Sequence, residues 1–235
     1  ALVGGTDVIH LAGSGTDERA AMNPELARDI NINGMQTLLN MCEQAGVQRF
    51  IYASSSGVYG TQAEGEVVTE ESTPKPMSVY MQTKLDGEKL LWEHHKLTGV
   101  AIRSATCCGP APRMRLDTIV NTFCKQAYFD GKITVWDGRQ WRSNIHVQDI
   151  AKLYALLLEK PIELIDGQVF NATRENRTAK EIAERVQIVI PCKVEVDSSK
   201  VDDRHYRMNA SKAAKILGWM PGRSVEDAIF DNRAF

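Results

Sequence analysis

A tyrosine and a lysine stand four residues apart in the segment SVYMQTKLDGEKLL, as Tyr80 and Lys84. If the segment is helical, both side chains share a face, and an ammonium group close to a phenol lowers the tyrosine pKa from about 10. A base that works near neutral pH needs such a shift. Because any helix brings residues four apart together, the spacing alone equally allows an aromatic and a solvated cation on an ordinary surface. A catalytic role for the pair therefore requires further active-site residues elsewhere in the chain.

Ser55 is the candidate third partner, because it stands at the carboxyl end of the predicted strand that precedes this helix. A serine hydroxyl directed at the same substrate oxygen would hold that oxygen in line while the proton moves. Together, Ser55, Tyr80 and Lys84 suit the oxidation of an alcohol to a ketone with a hydride acceptor.

Short apolar runs alternate with long helical patterns in the first half of the chain. The runs DVIHLA (7–12), RFIYASS (49–55) and VAIRSAT (100–106) are typical of strands buried in a parallel sheet, and residues 24–45 and 79–97 predict helices. This order predicts an α/β fold with a doubly wound parallel, Rossmann-like sheet. Ligands in such sheets bind beyond the carboxyl ends of the strands, where the glycine-rich or small-residue segments HLAGSG, SSSGVYG and TCCGP stand.

The second half predicts a smaller α/β region that packs against the first, with a crevice between them. Segments ITVW, QVFNAT and KVEVD read as strands, and DTIVNTFCKQAYF, TAKEIAERVQIVI and SKAAKILGW read as helices. We expect a dinucleotide-binding region and a substrate-binding region. The first comprises residues 1–110 together with 143–175, and the second comprises 111–142 and 176–235.

Composition narrows the possible partners. Of 235 residues, 43% are apolar and 25% are charged, and the net charge of -2 provides no field that would attract nucleic acid or an anionic membrane. No apolar run is long enough for a membrane span, and the five cysteines match neither a zinc site nor a disulfide framework. These features predict a cytoplasmic protein with reduced thiols and no metal site.

Motifs along almost the whole chain resemble the extended branch of the short-chain dehydrogenase/reductase superfamily, the nucleotide-sugar epimerase/dehydratase family. SVYMQTK resembles its YxxxK signature. The other matching segments occur in the family's order and are DVIHLAG, NINGMQTLLNMCEQAGVQRFIYASSSGVYG, IRSATCCGP, WRSNIHVQDIA, QVFNAT and KAAKILGWMP.

The resemblance implies a role for each matching position. Tyr80 would be the catalytic base or acid, Lys84 would lower its pKa and bind the nicotinamide ribose, Ser55 would position the substrate, and Asn31 matches an active-site asparagine. The segments that would line the cofactor are Leu11, Ala12 and Gly13 after the first strand, and Ala53 and Ser54 in the second. The implied substrate-binding residues are Ser55, Ser56, Thr106, Arg142 and Arg204, of which the two arginines would clamp the diphosphate of a nucleotide-sugar.

Departures from the family pattern narrow the expected reaction. Dehydratases and decarboxylases of the family carry acidic residues just after the active-site hydroxyl position, where this chain has Ser56 and Gly57. That difference favours an NAD(P)-dependent nucleotide-sugar epimerase, with a reductase or dehydrogenase as the alternative. Thr106 and Cys108 stand where asparagine and tyrosine are frequent, so the substrate contacts there differ from the family's usual ones.

The N-terminal segment differs most from the family pattern. The family begins with a strand and a GxxGxxG turn that binds the cofactor pyrophosphate, whereas this sequence offers only the pair Gly4 and Gly5. We therefore expect additional N-terminal sequence, or a partner chain, to cover the edge of the strand at 7–12. A truncated relative that binds without turnover is the alternative. The resemblance also implies a homodimer formed through the helices at 24–45 and 79–97, and it leaves NAD and NADP undistinguished.

Overall fold

The computed structural model describes residues 6–200, 202 and 204–233. Gly4 and Gly5, the glycine pair weighed above as a phosphate-binding turn, lie outside the described residues. The strands are β1 (Asp7–His10), β2 (Arg49–Ser55), β3 (Thr98–Ser104), β4 (Thr106–Cys108), β5 (Lys132–Trp136), β6 (Trp141–His146), β7 (Gln168–Ala172), β8 (Glu175–Thr178) and β9 (Lys193–Asp197). The α-helices are α1 (Asp17–Met22), α2 (Pro24–Arg28), α3 (Gly34–Ala45), α4 (Val79–Trp92), α5 (Ile119–Asp130), α6 (Val147–Glu159), α7 (Ile162–Ile165), α8 (Ala179–Val189), α9 (Ser211–Leu217) and α10 (Val225–Arg233).

The main sheet has the strand order β1-β2-β3-β7, and every neighbouring pair in it is parallel. This arrangement confirms the predicted α/β fold with a parallel sheet. Among the described residues β1 forms one edge of this sheet, and its side chains are exposed or half-buried. All four strands run in the same direction, so their carboxyl ends lie along one edge of the sheet.

Helices cover both faces of the main sheet. Along β2 successive side chains point to opposite faces, so Phe50 and Tyr52 pack with α3 and α4 while Ile51 packs on the other side with α6 and β7. Gly87 brings α4 close to β2, since a Cβ atom at this position would collide with the Tyr52 hydroxyl. The helix that carries Tyr80 is therefore fixed against the strand that ends at Ser55.

The predicted helix at 24–45 forms as α2 and α3, joined by a π-helical turn over Asp29–Asn33. Pro24 begins α2 at its first helical position, and α3 ends at Gly46, which adopts the left-handed conformation with φ of 73°. The helix predicted at 79–97 ends earlier, at Trp92. π-helical turns are often found at functional sites, and this one contains Asn31.

The remaining elements build a separate apolar cluster and two small sheets. The sheets have the orders β4-β6-β8 and β5-β9. The cluster contains Phe123, Ile133, Ile182, Val186 and Ile229, which come from α5, β5, α8 and α10. By contrast, Met208 and the α9 residues Ala213 and Leu217 belong to the core of the main sheet.

Candidate active site

Tyr80 and Ser55 meet at the carboxyl end of β2. Helix α4 begins after Ser78, whose hydroxyl accepts a hydrogen bond from Met81 N at 3.1 Å, so Tyr80 lies in the first turn of the helix. The Tyr80 phenol lies beside the Ser55 hydroxyl, which acts to lower the pKa of the phenol. Ser55 Oγ also accepts from Gly57 N at 3.1 Å, which fixes its rotamer. The structure therefore brings together the phenol and the hydroxyl that sequence spacing predicts.

Lys84 lies one turn along α4 and points back towards β2. Its Nζ atom donates to Ala53 O at 2.8 Å and stands 5.1 Å from the centroid of the Tyr52 ring and 5.9 Å from that of Tyr80. Burial lowers the pKa of the Lys84 ammonium to about 8. The ammonium is thus held by a backbone carbonyl beneath the Tyr80 ring.

The prediction that the pKa of Tyr80 is lowered is wrong in this structure. Burial of the phenol raises its pKa and outweighs the two influences that favour the phenolate, the nearby Ser55 hydroxyl and the positive charge of Arg115. The carboxylate of Asp17 raises the pKa further. Lys84 is displaced towards Ala53, and a guanidinium on the β4–α5 loop is the cation that acts on Tyr80.

Asn31 connects the loop after β1 to the catalytic helix. Its Oδ1 accepts from Ser14 N at 2.7 Å, and its Nδ2 donates to Ser14 O at 3.2 Å and to Thr83 Oγ1 at 2.9 Å. Thr83 Oγ1 in turn donates to Tyr80 O at 2.8 Å. These contacts make Asn31 a positioning residue that acts on the Tyr80 backbone through Thr83, rather than a group in contact with the Tyr80 hydroxyl.

The segments expected to line a cofactor lie beside this framework. Leu11, Ala12 and Gly13 are exposed on the loop that leaves β1, and a Cβ atom at Gly13 would come within 2.8 Å of Asn31 Oδ1. Ala53 is half-buried and presents its carbonyl to Lys84, whereas Ser54 is buried. The Ser54 hydroxyl points away from the crevice and donates to Glu88 Oε1.

Glu88 and Arg103 form a buried ion pair directly behind the end of β2. Arg103 Nε and Nη2 bond to the two carboxylate oxygens of Glu88 at 3.0 and 2.8 Å. Arg103 Nη1 also donates to the Tyr59 hydroxyl at 3.0 Å, and that hydroxyl donates to Asn171 Oδ1 at 2.7 Å. Each buried charge is thus paired and hydrogen-bonded, as its burial requires.

Residues after Ser55 are packed tightly. The Ser56 hydroxyl is buried and lies 2.9 Å from the hydroxyl of Tyr206. A Cβ atom at Gly57 would lie 3.0 Å from Met81 Cγ, so a longer side chain there requires Met81 to move. Thr106 is half-buried at the start of β4, and Cys108 is buried with its thiol 3.3 Å from Ile145 O. Cys108 is therefore a packing residue.

The arginines predicted to clamp a diphosphate come together around one carboxylate. Arg142 Nη2 lies 2.6 Å from Asp202 Oδ2, and Arg204 contacts both oxygens of Asp202, at 2.9 Å through Nε and 2.7 Å through Nη2. Arg204 Nη1 also lies 3.6 Å from Asp17 Oδ2. Both cations are therefore occupied by protein carboxylates in this structure.

The sequence did not predict the part that four residues play in the site, namely Asp17, Thr83, Arg115 and Tyr206, although Arg115 could be expected to reach a phosphate. Asp17 accepts a hydrogen bond from the Ser78 hydroxyl, and Arg115 Nη1 reaches Gly15 O at 3.4 Å. Thr83 immediately precedes Lys84 in the YxxxK segment, and Tyr206 follows Arg204 closely, so a search of the motif neighbourhoods would have selected both. The spacing of Asp17 and Arg115 carries no comparable signal.

The geometry supports proton transfer. A half-buried phenol lies beside a serine hydroxyl at a strand end, with an ammonium below and a guanidinium nearby, which is the set required for moving a proton to or from a substrate oxygen. Across the described residues no group of three or more His, Cys, Asp or Glu side chains is arranged to hold a metal ion. Within the same residues, no helix combines the length and the apolar character needed to cross a membrane.

Comparisons with known proteins agree with this geometry. The model of the NAD dependent epimerase/dehydratase family matches residues 3–173. A UDP-glucuronate 4-epimerase of Thermodesulfobacterium geofontis is 31% identical over 94% of this chain and 69% of its own length. A dTDP-glucose 4,6-dehydratase of Streptomyces griseus is 25% identical over 97% of this chain and 70% of its own length.

A solved structure supports the same relationship. The UDP-glucuronic acid 4-epimerase from Bacillus cereus, in complex with UDP-glucuronic acid and NAD, superposes with a TM-score of 0.87 and 27% identity, covering 97% of this chain and 74% of that one. The chain spans 66% to 70% of the length of curated relatives such as these. Epimerases and dehydratases both appear among the relatives.

Proposed function

Because the chain belongs to the NAD dependent epimerase/dehydratase family of enzymes, we propose that it is an NAD(P)-dependent nucleotide-sugar epimerase in which Tyr80 transfers the proton. The observation that carries this proposal is the placing of Tyr80 beside Ser55, with Lys84 Nζ 5.9 Å from the centroid of the phenol ring. The epimerases among the relatives act on UDP-sugars according to their names, which favours a nucleotide-sugar as the substrate here.

The residues around the end of β2 fit the nicotinamide end of a dinucleotide. The loop of Leu11, Ala12 and Gly13 is exposed and has no side chain at Gly13, so a flat ring and its ribose can approach the backbone. Ala53 follows Tyr52, which pairs with His10 across β1 and β2, so Ala53 lies beside this loop. The Lys84 ammonium bonded to the Ala53 carbonyl can bond to ribose hydroxyls there. When bound, such a cofactor accepts a hydride from a sugar carbon and, in an epimerase, returns it to the opposite face.

Each protein group has a distinct part in this chemistry. Ser55 would hold the reacting sugar oxygen, Tyr80 would accept its proton, and the same phenol would return the proton when the carbonyl is reduced again. Arg115 and the Ser55 hydroxyl favour the phenolate that the first step requires, while burial opposes it. Asn31 would fix the position of Tyr80 through Thr83.

Ser56 and Gly57 support epimerisation over dehydration or decarboxylation. The Ser56 hydroxyl is engaged with Tyr206, and the space around Gly57 is filled by Met81, so neither position presents an acid to the substrate. A general acid beside the reacting carbon is what elimination of water from the sugar requires. Thr106 and the two arginines, Arg142 and Arg204, would instead contact the substrate. The Ser56 hydroxyl, predicted to do so as well, is buried against Tyr206 and would first have to leave it.

One region would bind the cofactor and a second the substrate, as the sequence predicts. We place the cofactor on residues 1–110 with 143–175, and the substrate on 111–142 with 176–235. The second region has its own apolar cluster, although α9 packs on the core of the first. Binding of each ligand to variants confined to one region would test the division, and loss of cofactor binding from a change at Arg142 would contradict it.

A homodimer through α2, α3 and α4 is the proposed assembly. Leu26, Ile30 and Met41 are apolar side chains that stand 51%, 43% and 47% exposed on α2, the π-helical turn and α3. A second copy would bury them. Light scattering should give twice the chain mass for the parent and the single chain mass for Ile30→Glu, and a monomeric parent would contradict the proposal.

The epimerase assignment is tested by turnover of UDP-sugars in the presence of NAD. The Tyr80→Phe variant keeps the ring and removes the proton, so we expect kcat to fall by about two to four orders of magnitude, the usual contribution of a general acid or base. Tyr128→Phe is the matched control, because Tyr128 is exposed on α5. Unchanged turnover in Tyr80→Phe would refute the role of Tyr80.

The form of the reaction separates the alternatives. An epimerase interconverts two sugars with no net reduction of NAD, whereas a dehydrogenase or reductase changes the reduced-nicotinamide absorbance in proportion to product. A dehydratase or decarboxylase changes the mass of the sugar. Binding of nucleotide-sugar without any of these products would favour a non-catalytic binding protein.

A further inference from the structure

Asp202 occupies the place between the two arginines that the substrate diphosphate is expected to fill. Arg204 hydrogen-bonds to both oxygens of its carboxylate, and Arg142 Nη2 lies 2.6 Å from one of them. Their charges lower the pKa of Asp202 far below its usual value, so the carboxylate is ionised at neutral pH even though burial opposes this. An anion is thus already present at the predicted anion site.

Arg142 is enclosed by protein atoms in this arrangement, although its Nη2 makes no hydrogen bond. Its Nη1 donates to Trp141 O at 2.9 Å and also to the carbonyl of Arg204, while Nη2 faces Asp202. The residue is only 5% exposed. A phosphate oxygen therefore reaches this guanidinium only when Asp202 and the Arg204 backbone move away.

Arg204 also connects the segment that carries Asp202 to the other side of the crevice. Its guanidinium, 48% exposed, lies 3.6 Å from the carboxylate of Asp17 at the start of α1. Asp17 also bonds to Ser78, the residue that caps the helix carrying Tyr80. The Asp202 contact is therefore part of a link between the two sides of the crevice, and an exposed ion pair at this distance is weak enough to break on binding.

We propose that Asp202 is an intramolecular stand-in for the substrate diphosphate, which must displace it to reach Arg142. This inference rests on the proposed nucleotide-sugar function. Carboxylates and phosphates form the same kind of charge-assisted, bidentate bonds to guanidinium groups, so the exchange leaves the buried charge of Arg142 compensated throughout. The affinity for a nucleoside diphosphate is then reduced by the free energy of the Asp202 contacts, and a ligand without phosphates gains nothing from displacing them.

The Asp202→Asn variant tests this directly by calorimetric titration with UDP, dTDP and GDP, without cofactor. Asparagine keeps the shape and removes the charge that competes with phosphate. We expect the tightest of the three ligands to bind the variant roughly tenfold more strongly than the parent, the equivalent of losing one hydrogen bond to a charged group. The corresponding nucleoside should bind both forms equally. Asp197→Asn is the matched control, since the Asp197 carboxylate at the end of β9 accepts hydrogen bonds from Ser199 and lies 3.9 Å from Lys200 Nζ.

Weaker diphosphate binding by Asp202→Asn would overturn the proposal, because it would make Asp202 an orienting residue for the arginines. Equal binding would overturn it as well. If the parent binds a diphosphate and the variant gains nothing, this inference fails alone; if neither form binds any of the three, the nucleotide-sugar function fails with it.

A second measurement on the parent protein covers the case in which the variant does not fold. Hydrogen exchange of the peptide containing Asp202 and Arg204 should become faster when the diphosphate is bound, because the bond from Arg204 N to Asp202 Oδ1, at 3.2 Å, is released. Slower or unchanged exchange in that peptide would contradict displacement.

Discussion

Replacing Glu88 with Gln should destabilise the protein far more than a surface charge change. Glu88 and Arg103 are joined by two bonds of 3.0 and 2.8 Å, and their side chains are only 3% and 6% exposed. Glutamine offers one acceptor oxygen and turns an amide donor towards the donors of Arg103, so the guanidinium stays buried without a counter-charge. Breaking a buried pair in this way costs about 3–5 kcal/mol of the free energy of unfolding.

The assay is urea unfolding followed by tryptophan fluorescence, with the free energy of unfolding extrapolated to water. Asp86→Asn is the matched control on the same helix, since Asp86 pairs with Lys89 at 3.3 Å and these side chains are 31% and 61% exposed. We expect it to cost about 1 kcal/mol or less. The double variant Glu88→Leu with Arg103→Met removes both charges and should be more stable than Glu88→Gln alone.

A loss below about 1 kcal/mol in Glu88→Gln would refute this reasoning, because it would mean that Arg103 finds water or another anion. The pair also has a functional consequence, since the Ser54 hydroxyl bonds to Glu88 immediately before Ser55. Folded Glu88→Gln protein should therefore show a lower kcat than the parent, while Asp86→Asn should not.

Two predictions concern pH. Asp17 raises the pKa of Tyr80 and Arg115 lowers it. The acid limb of the plot of kcat against pH should therefore move to lower pH in Asp17→Asn and to higher pH in Arg115→Gln. Shifts in the same direction would contradict the assignment of these two charges. The second prediction concerns Lys84, whose pKa is about 8 in the folded protein against an ordinary 10.5. Between these values the unfolded chain binds more protons, so the free energy of unfolding of the parent rises with pH through this window. The gain is about 3.5 kcal/mol, from about 2.5 pH units at roughly 1.4 kcal/mol each. Lys84→Met should lack this gain in urea unfolding at successive pH values, and an identical pH dependence in both proteins would show that Lys84 is solvated.

Local patterns predicted the scaffold well. The strand runs ending near His10, Ser55 and Ser104 form adjacent parallel strands, because a continuous apolar run bounded by small residues has few other uses in an α/β chain. The convergence of Ser55 with Tyr80 follows from that topology, since a strand end and the start of a packed helix must meet at one edge of the sheet. The spacing and periodicity of apolar residues were sufficient to predict these features.

Other elements gave no usable pattern. Helices α1 and α10 and strand β8 are short or carry many charges, so their apolar faces were too small to recognise. The π-helical turn at Asp29–Asn33 interrupts an otherwise regular helical period, and its cause is tertiary: Asn31 reaches both Ser14 and Thr83. The spacing of apolar residues along the chain does not depend on such contacts and therefore cannot reveal them.

The acidity of Tyr80 shows why the chemistry was harder to predict than the fold. Spacing placed a cation one turn away, but the buried ammonium of Lys84 is taken by Ala53 O, and the charges that act on the phenol belong to Asp17 and Arg115. Asp17 begins α1 and Arg115 lies in the loop between β4 and α5, and these distant segments meet where Arg115 reaches Gly15 O. The shift of a pKa is the sum of a burial effect and the effects of several charges from distant parts of the chain. Changing one such charged residue can therefore reverse the direction of the shift while the strands and helices stay as they are. The sequence motif therefore identifies which groups meet, and the loops around them determine how strongly Tyr80 holds its proton.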